Sequence, residues 1–132
     1  MPTITEQNTA QLIGMAPRFL VDDLDRAIAY YTEKLGFTLD FRFELFYAGV
    51  SRDGQAIHLK HASKIVEDRA YRKQNEHLDA FIPVAGVRAL YEELQGRGAL
   101  IYKPLEERPW AAVDFYVEDS EGYLLCFSEP TA

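Results

Sequence analysis

Residues 118–129 read Glu-Asp-Ser-Glu-Gly-Tyr-Leu-Leu-Cys-Phe-Ser-Glu, an acidic turn followed by an apolar strand, and they have a counterpart earlier in the chain. A shift of 68 positions places the turn glycine on Gly54 and Glu121 on Asp53. A fixed offset of this kind is the sequence signature of an internal repeat. In both copies the glycine supplies a backbone conformation that other residues resist, which predicts two antiparallel strands joined by a tight turn.

Each turn is preceded by a stretch with the periodicity of a helix. In the first repeat Asp22 and Asp23 can cap the helix and Gly36 can end it. In the second repeat Gly96 or Gly98 fills the terminating role. Apolar residues recur three and four positions apart in both stretches, as they do on the buried face of a helix. They are Leu24, Ala27, Ile28, Tyr31 and Leu35 in the first repeat and Val87, Leu90, Tyr91 and Leu94 in the second.

Alternating or apolar runs predict four strands in each repeat. They cover residues 16–21, 37–43, 46–51 and 55–61 in the first repeat and residues 77–84, 99–102, 110–117 and 123–127 in the second. Residues 103–109 are predicted to be a proline-bounded loop. Residues 62–76 are charged and have no clear face, which favours a solvated linker, with a lid over a pocket as the alternative. We therefore predict a single domain, residues 1–132, with repeat one at about 15–61 and repeat two at about 77–129.

The composition is that of a folded protein with an excess of acid. Hydrophobic residues make up 48% of the 132 positions, which is ample for a core that two half-size repeats share. The chain has 14 Lys and Arg against 21 Asp and Glu, a net charge of −7. This balance disfavours nucleic acid and an anionic membrane surface as partners. A cationic small molecule would be attracted instead.

Cysteine content and the N-terminal sequence predict the compartment. Cys126 is the one cysteine, which excludes an intrachain disulfide and suits a reducing environment. Residues 1–15 lack the basic flank and apolar run of a signal peptide, and no stretch approaches the roughly 20 apolar residues that span a membrane. We therefore expect a cytoplasmic protein.

Three features together resemble the vicinal oxygen chelate superfamily. They are the duplicated unit, the sequence Phe-Leu-Val-Asp-Asp-Leu-Asp-Arg-Ala-Ile-Ala-Tyr-Tyr at residues 19–31 with Leu-Gly-Phe at 35–37, and the closing hairpin. The superfamily includes glyoxalase I, extradiol dioxygenases and the fosfomycin and bleomycin resistance proteins. The resemblance implies an α+β fold in which two βαβββ repeats form a strongly curved mixed sheet around a cavity, with the helices outside. It also implies a homodimer, whose repeats either pair within a chain or swap between chains.

Metal enzymes of this superfamily place one ligand on the first and one on the last strand of each repeat. The corresponding positions here are Ala16, His58, Asp79 and Cys126. Ala16 cannot bind a metal, so the resemblance favours the bleomycin resistance branch, with no metal, no cofactor and no catalytic residue. The alternative is a metal-dependent lyase or dioxygenase with a degenerate ligand set, since a catalytic zinc can work with three protein ligands and a water.

The cavity that the resemblance implies would be lined by every second residue of its strands, because side chains alternate across a strand. On the last hairpin the resemblance places Trp110, Asp114 and Tyr116 inward. The full set of predicted ligand-binding residues is Arg18, His58, Lys60, Asp79, Phe81, Trp110, Asp114, Tyr116 and Cys126.

This set combines flat aromatic surfaces with charge. Its aromatic rings suit a planar ligand, and Asp79 and Asp114 can meet a cation. Arg18 and Lys60 need partners if they are buried, and these two aspartates are the expected partners.

Several of these residues also have ordinary structural interpretations. His58 fits a hydrogen-bonded strand histidine, Cys126 fits an inert core thiol, and Trp110 can simply pack its loop. The acids of the turn at residues 118–121 are expected to be solvated and to shape the turn.

The sequence therefore predicts a metal-independent protein that sequesters a cationic, partly aromatic small molecule and acts as a homodimer, with bleomycin resistance as the family precedent. One alternative is the metal-dependent glyoxalase-like lyase or dioxygenase. The other is a structural or regulatory dimer in which the cavity has collapsed around ion pairs.

Overall fold

Each repeat folds as a four-stranded mixed sheet with a helix packed against it. The structure is a computed structural model that describes residues 10–63 and 69–131. In chain order its elements are β1 (Arg18–Val21), α1 (Leu24–Ala29) with a π-helical turn (Tyr30–Lys34), β2 (Thr38–Phe43), β3 (Tyr47–Arg52), β4 (Gln55–His61), α2 (Arg69–Gln74), β5 (Ala80–Pro83), α3 (Val87–Arg97), β6 (Leu100–Arg108), β7 (Ala112–Glu118) and β8 (Leu124–Pro130).

The two sheets have the same topology, which confirms the duplicated α+β fold. Their strand orders are β1-β4-β3-β2 and β5-β8-β7-β6. The first strand of each repeat runs parallel to the last, and the other pairs are antiparallel. Both sheets are curved and neither closes into a barrel.

The first helix begins and ends where the sequence predicts. The Asp23 side chain caps it by accepting a hydrogen bond from the backbone N–H of Arg26 at 3.0 Å. Gly36, with φ +74°, stops it. Its last part is wider than predicted, since Leu35 donates to the carbonyl of Tyr30, five positions back. No helix in the described ranges is long and apolar enough to cross a membrane.

Two segments predicted to be irregular contain regular structure. Part of the predicted linker, residues 69–74, forms α2, while residues 64–68 lie outside the described part of the chain. The predicted loop at 103–109 is mostly the second half of β6, which pairs with β7. A proline removes a backbone donor, and β6 tolerates Pro104 because it is an edge strand with two register shifts.

One hydrophobic core joins the repeats, as the sequence predicts. Helix α1 packs on β3 and β4, and α3 packs on β6, β7 and β8 and on the π-helical turn. Across the two repeats, Phe19 stacks on Tyr123 with ring centroids 4.4 Å apart. The Tyr123 hydroxyl also donates to the carbonyl of Leu20 at 2.8 Å. The repeats therefore contact each other on the helix side of their sheets.

The acidic turn is buried against α1, which corrects the expectation of solvated acids. Asp119 is 2% exposed and accepts hydrogen bonds from the Tyr31 hydroxyl at 2.7 Å and from the backbone N–H groups of Glu121 and Tyr123. Burial raises the pKa of Asp119 to about 6, although these hydrogen bonds act in the opposite direction. Glu121 in turn accepts from the Arg26 guanidinium at 2.9 Å. The turn is thus a tie between the repeats.

Tyr31→Phe tests this tie, because it leaves a buried carboxylate oxygen without its donor. We expect the free energy of unfolding to fall by about 2 kcal/mol, since a hydrogen bond to a charged group contributes roughly 1.5–3 kcal/mol. Urea denaturation at pH 7 measures the change. Tyr91→Phe is the matched control, because its hydroxyl has no hydrogen bond among the described residues, and we expect a change within about 0.5 kcal/mol. Equal losses in the two variants would contradict the tie.

Candidate functional site

Apart from Trp110, the predicted site residues lie on two surfaces, each on the side of its sheet that faces away from the core. The first face consists of Arg18, Phe41, Phe43, Tyr47, His58 and Lys60. The second face consists of Asp79, Phe81, Arg108, Asp114, Tyr116 and Cys126. In the described part of the chain, no hydrogen bond, ion pair or ring contact joins one face to the other.

A hydrogen-bonded row of three side chains lies at the centre of the first face. Arg18 and His58 are neighbours in the parallel pair of β1 and β4. The Arg18 Nε donates to the Tyr47 hydroxyl at 3.0 Å, and that hydroxyl lies 2.7 Å from His58 Nδ1. The Arg18 guanidinium also sits 5.2 Å from the centroid of the Tyr47 ring. Tyr47 was missed from sequence, although the alternation of β3 places it on this face.

Aromatic rings surround this row. Phe41 stacks on Tyr47 at 5.9 Å and meets His58 edge-on at 5.4 Å. This packing needs Gly49, because a Cβ atom there would lie 2.3 Å from the Phe41 ring. Lys60 lies 5.6 Å from the ring of Phe46, at the turn before β3. The first face thus combines two cations with a largely exposed aromatic surface.

The second face contains a buried ion pair between Arg108 and Asp114. Asp114 is 3% exposed and binds the Arg108 Nε at 2.7 Å. Arg108 Nη2 is buried without a hydrogen-bond partner in the described residues, and the guanidinium lies 5.8 Å from the Tyr116 ring. Burial also raises the pKa of Cys126 to about 12, so its thiol stays protonated near neutral pH.

The expectation that Asp79 and Asp114 pair with Arg18 and Lys60 is wrong. Asp79 pairs with Arg72 at 2.7 Å, not with Arg18 or Lys60, and its other oxygen accepts from the backbone N–H of Leu124. Asp114 pairs with Arg108, as described above. Both arginines come from segments predicted to be irregular, which is why sequence reasoning did not offer them as partners.

Trp110 does not lie on the second face. It occupies the turn between β6 and β7 and is 68% exposed. The inward position that the resemblance implies does not hold for Trp110, because β7 begins at Ala112 and Ala111 has a positive φ of 62°. Phe81 does lie beside Cys126 in the sheet register, and it is 61% exposed.

A separate, largely apolar cavity of about 850 Å³ lies between the two repeats. Met15, Ala56 and Leu90 contribute to its lining, and the ion pair of Arg52 with Glu93 lies in its wall. Apart from Phe81, the predicted site residues do not line it.

The four positions that hold metal in the superfamily do not fit a metal ion in this chain. Ala16 has no donor, the Nδ1 of His58 is engaged by Tyr47, and Asp79 is engaged by Arg72. Cys126 is held as a thiol, whereas metals bind the thiolate. Within the residues that the structure describes, no three His, Cys, Asp or Glu side chains are grouped closely enough to hold a metal.

Comparison with known proteins gives a family match. The model of the Glyoxalase/Bleomycin resistance protein/Dioxygenase superfamily matches residues 14–127, most of the chain. No curated protein matches the sequence.

The fold is similar to that of several solved structures. A bleomycin-binding protein from bleomycin-producing Streptomyces verticillus, complexed with copper(II)-bleomycin, aligns with a TM-score of 0.68 and 23% identity over 94% of this chain and 99% of that chain. A bleomycin resistance determinant encoded on the transposon Tn5 gives 0.71 and 17% over 92% and 100%. A glyoxalase-related enzyme from Clostridium phytofermentans gives 0.72 and 19% over 93% and 98%. At these identities the similarity shows the fold alone.

Arg108→Met tests the neutralisation of Asp114, because it leaves a buried carboxylate without its partner. We expect the free energy of unfolding to fall by about 3 kcal/mol. In a double-mutant cycle with Asp114→Asn, measured by urea denaturation, we expect a coupling energy of about 1–3 kcal/mol. The half-exposed pair of Arg97 with Glu93, tested by Arg97→Met and Glu93→Gln, is the control and should give less than about 1 kcal/mol. Additive effects at Arg108 and Asp114 would contradict the pairing.

Proposed function

The chain belongs to the glyoxalase/bleomycin resistance protein/dioxygenase superfamily, and from that premise we propose that it binds a partly aromatic small molecule without a metal ion. The observation that carries the proposal is the first face, where aromatic rings and polar groups lie together outside the core. On this face Phe41 is 44% exposed and Phe43 60%, and Phe46, whose ring lies beside that of Tyr47, is 47% exposed. A contiguous exposed apolar surface of this kind marks a binding or interaction site.

We also propose that the pocket is completed by a second copy of the chain. The repeats contact each other on their helix sides, so the two faces do not close on one another within one chain. A twofold dimer would place the first face of one copy opposite the second face of its partner, and would do so twice. This arrangement would cover the exposed aromatic side chains of β2 and place both groups of predicted site residues around one pocket.

The ligand in this proposal presents a planar ring to the first face and to Phe81. A cationic group on the ligand, which the sequence predicts from the net charge of −7, remains part of the proposal. Asp79 and Asp114 do not supply its local partner, since each is already paired with an arginine. The exposed Phe81 ring is the group that can receive it.

Sequestration of a toxic compound in the cytoplasm is the role that this binding would serve. The bleomycin-binding protein of Streptomyces verticillus is a structural relative and supports a drug as the ligand class. The alternative is a metal-dependent glyoxalase-like lyase or dioxygenase. The similarity in fold to a glyoxalase-related enzyme supports this alternative. It would need His58 of one copy to meet Asp79 and Cys126 of its partner, with their present contacts broken.

Phe43→Glu tests the dimer, because it places a charge in the aromatic surface that the partner would cover. We expect light scattering behind size exclusion to give the mass of a dimer for the unmodified protein and of a monomer for this variant. Leu39→Glu is the matched control, since Leu39 lies on the same strand but opposite Val50 on the core side, whereas Phe43 lies opposite Tyr47. A monomeric unmodified protein at tens of micromolar, or a dimeric Phe43→Glu variant, would contradict the assembly.

Metal-free bleomycin and 2-naphthamide are suitable probes of binding. A ligand that binds only the folded state raises the melting temperature, so we expect saturable stabilisation by at least one probe in the presence of a chelator. The Phe43→Glu variant should lose it. Stabilisation that appears only after zinc, nickel, iron or manganese is added, and that His58→Ala abolishes, would favour the metalloenzyme. No stabilisation by either probe would favour a structural dimer.

A further inference from the structure

Two cations on the first face have no carboxylate partner among the described residues. Arg18 contacts the hydroxyl and ring of Tyr47, and Lys60 contacts the ring of Phe46. Most of the other arginines and lysines in the described ranges do pair with an aspartate or glutamate. Several of these ion pairs, in both repeats, have N–O distances of 2.7–3.0 Å. The first face therefore carries uncompensated positive charge.

The hydrogen bonds of the first face leave donors, not acceptors, for a ligand. Arg18 donates to the Tyr47 oxygen, and the Tyr47 hydroxyl can in turn donate to His58 Nδ1. In the His58 tautomer that accepts from Tyr47, the ring proton lies on Nε2, which makes no hydrogen bond within the described ranges. The guanidinium of Arg18 and the ammonium of Lys60 can only donate.

The second face does not offset this charge. Its two aspartates are neutralised by Arg72 and Arg108, and Arg108 keeps one buried N–H group, on Nη2, without an acceptor in the described residues. Asp40, a carboxylate at one end of the first sheet, accepts a hydrogen bond from Ser51. In the assembly proposed above, Asp79 and Asp114 would therefore add no unpaired carboxylate to the pocket.

We propose that the first face binds the oxyanion of a planar aromatic acid, with Arg18, His58 Nε2 and Lys60 as donors. The inference rests on the proposed function and names the group that the ligand presents to this surface. The ring would stack beside Phe41 and Tyr47, next to the charged group. The overall charge of −7 does not prevent this, because at physiological salt charges further than about 8 Å away are largely screened.

Titration calorimetry with 2-naphthoate and 2-naphthamide tests the inference, because the two share a ring system and differ in charge. We expect 2-naphthoate to bind about tenfold more tightly, as one charge-assisted hydrogen bond allows. Arg18→Gln should remove most of this preference, so that the affinities for 2-naphthoate and 2-naphthamide come within about twofold of each other. Lys60→Gln, a second variant, should reduce it in the same way. With 2-naphthyl phosphate as a third probe, the tightest of the anions identifies carboxylate or phosphate as the group recognised.

Arg42→Gln is the matched control, since Arg42 lies on β2 next to Phe43, on the other face, and pairs with Asp25. It should leave the preference for 2-naphthoate unchanged. Equal affinity for 2-naphthoate and 2-naphthamide, or a preference that survives both Arg18→Gln and Lys60→Gln, would overturn the oxyanion site while the proposed binding function stands. Failure of every naphthalene probe and of bleomycin to bind would instead overturn the proposed function.

Discussion

The contact between the acidic turn of the second repeat and the helix of the first constrains the whole molecule. Asp119 is buried and accepts the Tyr31 hydroxyl at 2.7 Å, and Glu121 holds Arg26. Loss of hydration raises the pKa of Asp119, so the carboxylate depends on its three hydrogen bonds to remain charged near neutral pH. Such a group is tolerated only where its neighbours are fixed, which sets how the repeats lie relative to each other.

The same contact decides where a ligand can bind. Because the repeats join on the helix side, the opposite faces of both sheets are left outside the core of the single chain. This explains why β2 carries exposed phenylalanines and why the predicted site residues divide into two groups. A pocket that uses both groups then requires a second copy, which is the physical basis of the dimer we propose.

Charge pairing separates the two faces. On the second face each aspartate forms an ion pair with an arginine at 2.7 Å, so its charge is already neutralised within the fold. On the first face Arg18 and Lys60 lie against aromatic rings, which hold a cation without neutralising it. The groups at the superfamily's metal positions are also held in other contacts, which is consistent with a site that recognises a ligand through hydrogen bonds and rings.

The sequence by itself determined the duplication, the capped helix from Asp23 to Gly36 and the strand Gln55–His61, because these follow from short-range periodicity and from turn residues. It did not reveal that β6 continues through Pro104, since nothing local marks an edge strand that needs no donor there. Only the tertiary structure decided which acids are neutralised and which face stays open. Those outcomes depend on contacts such as that of Tyr31 with Asp119, 88 positions apart, whose geometry exists only once both repeats are packed.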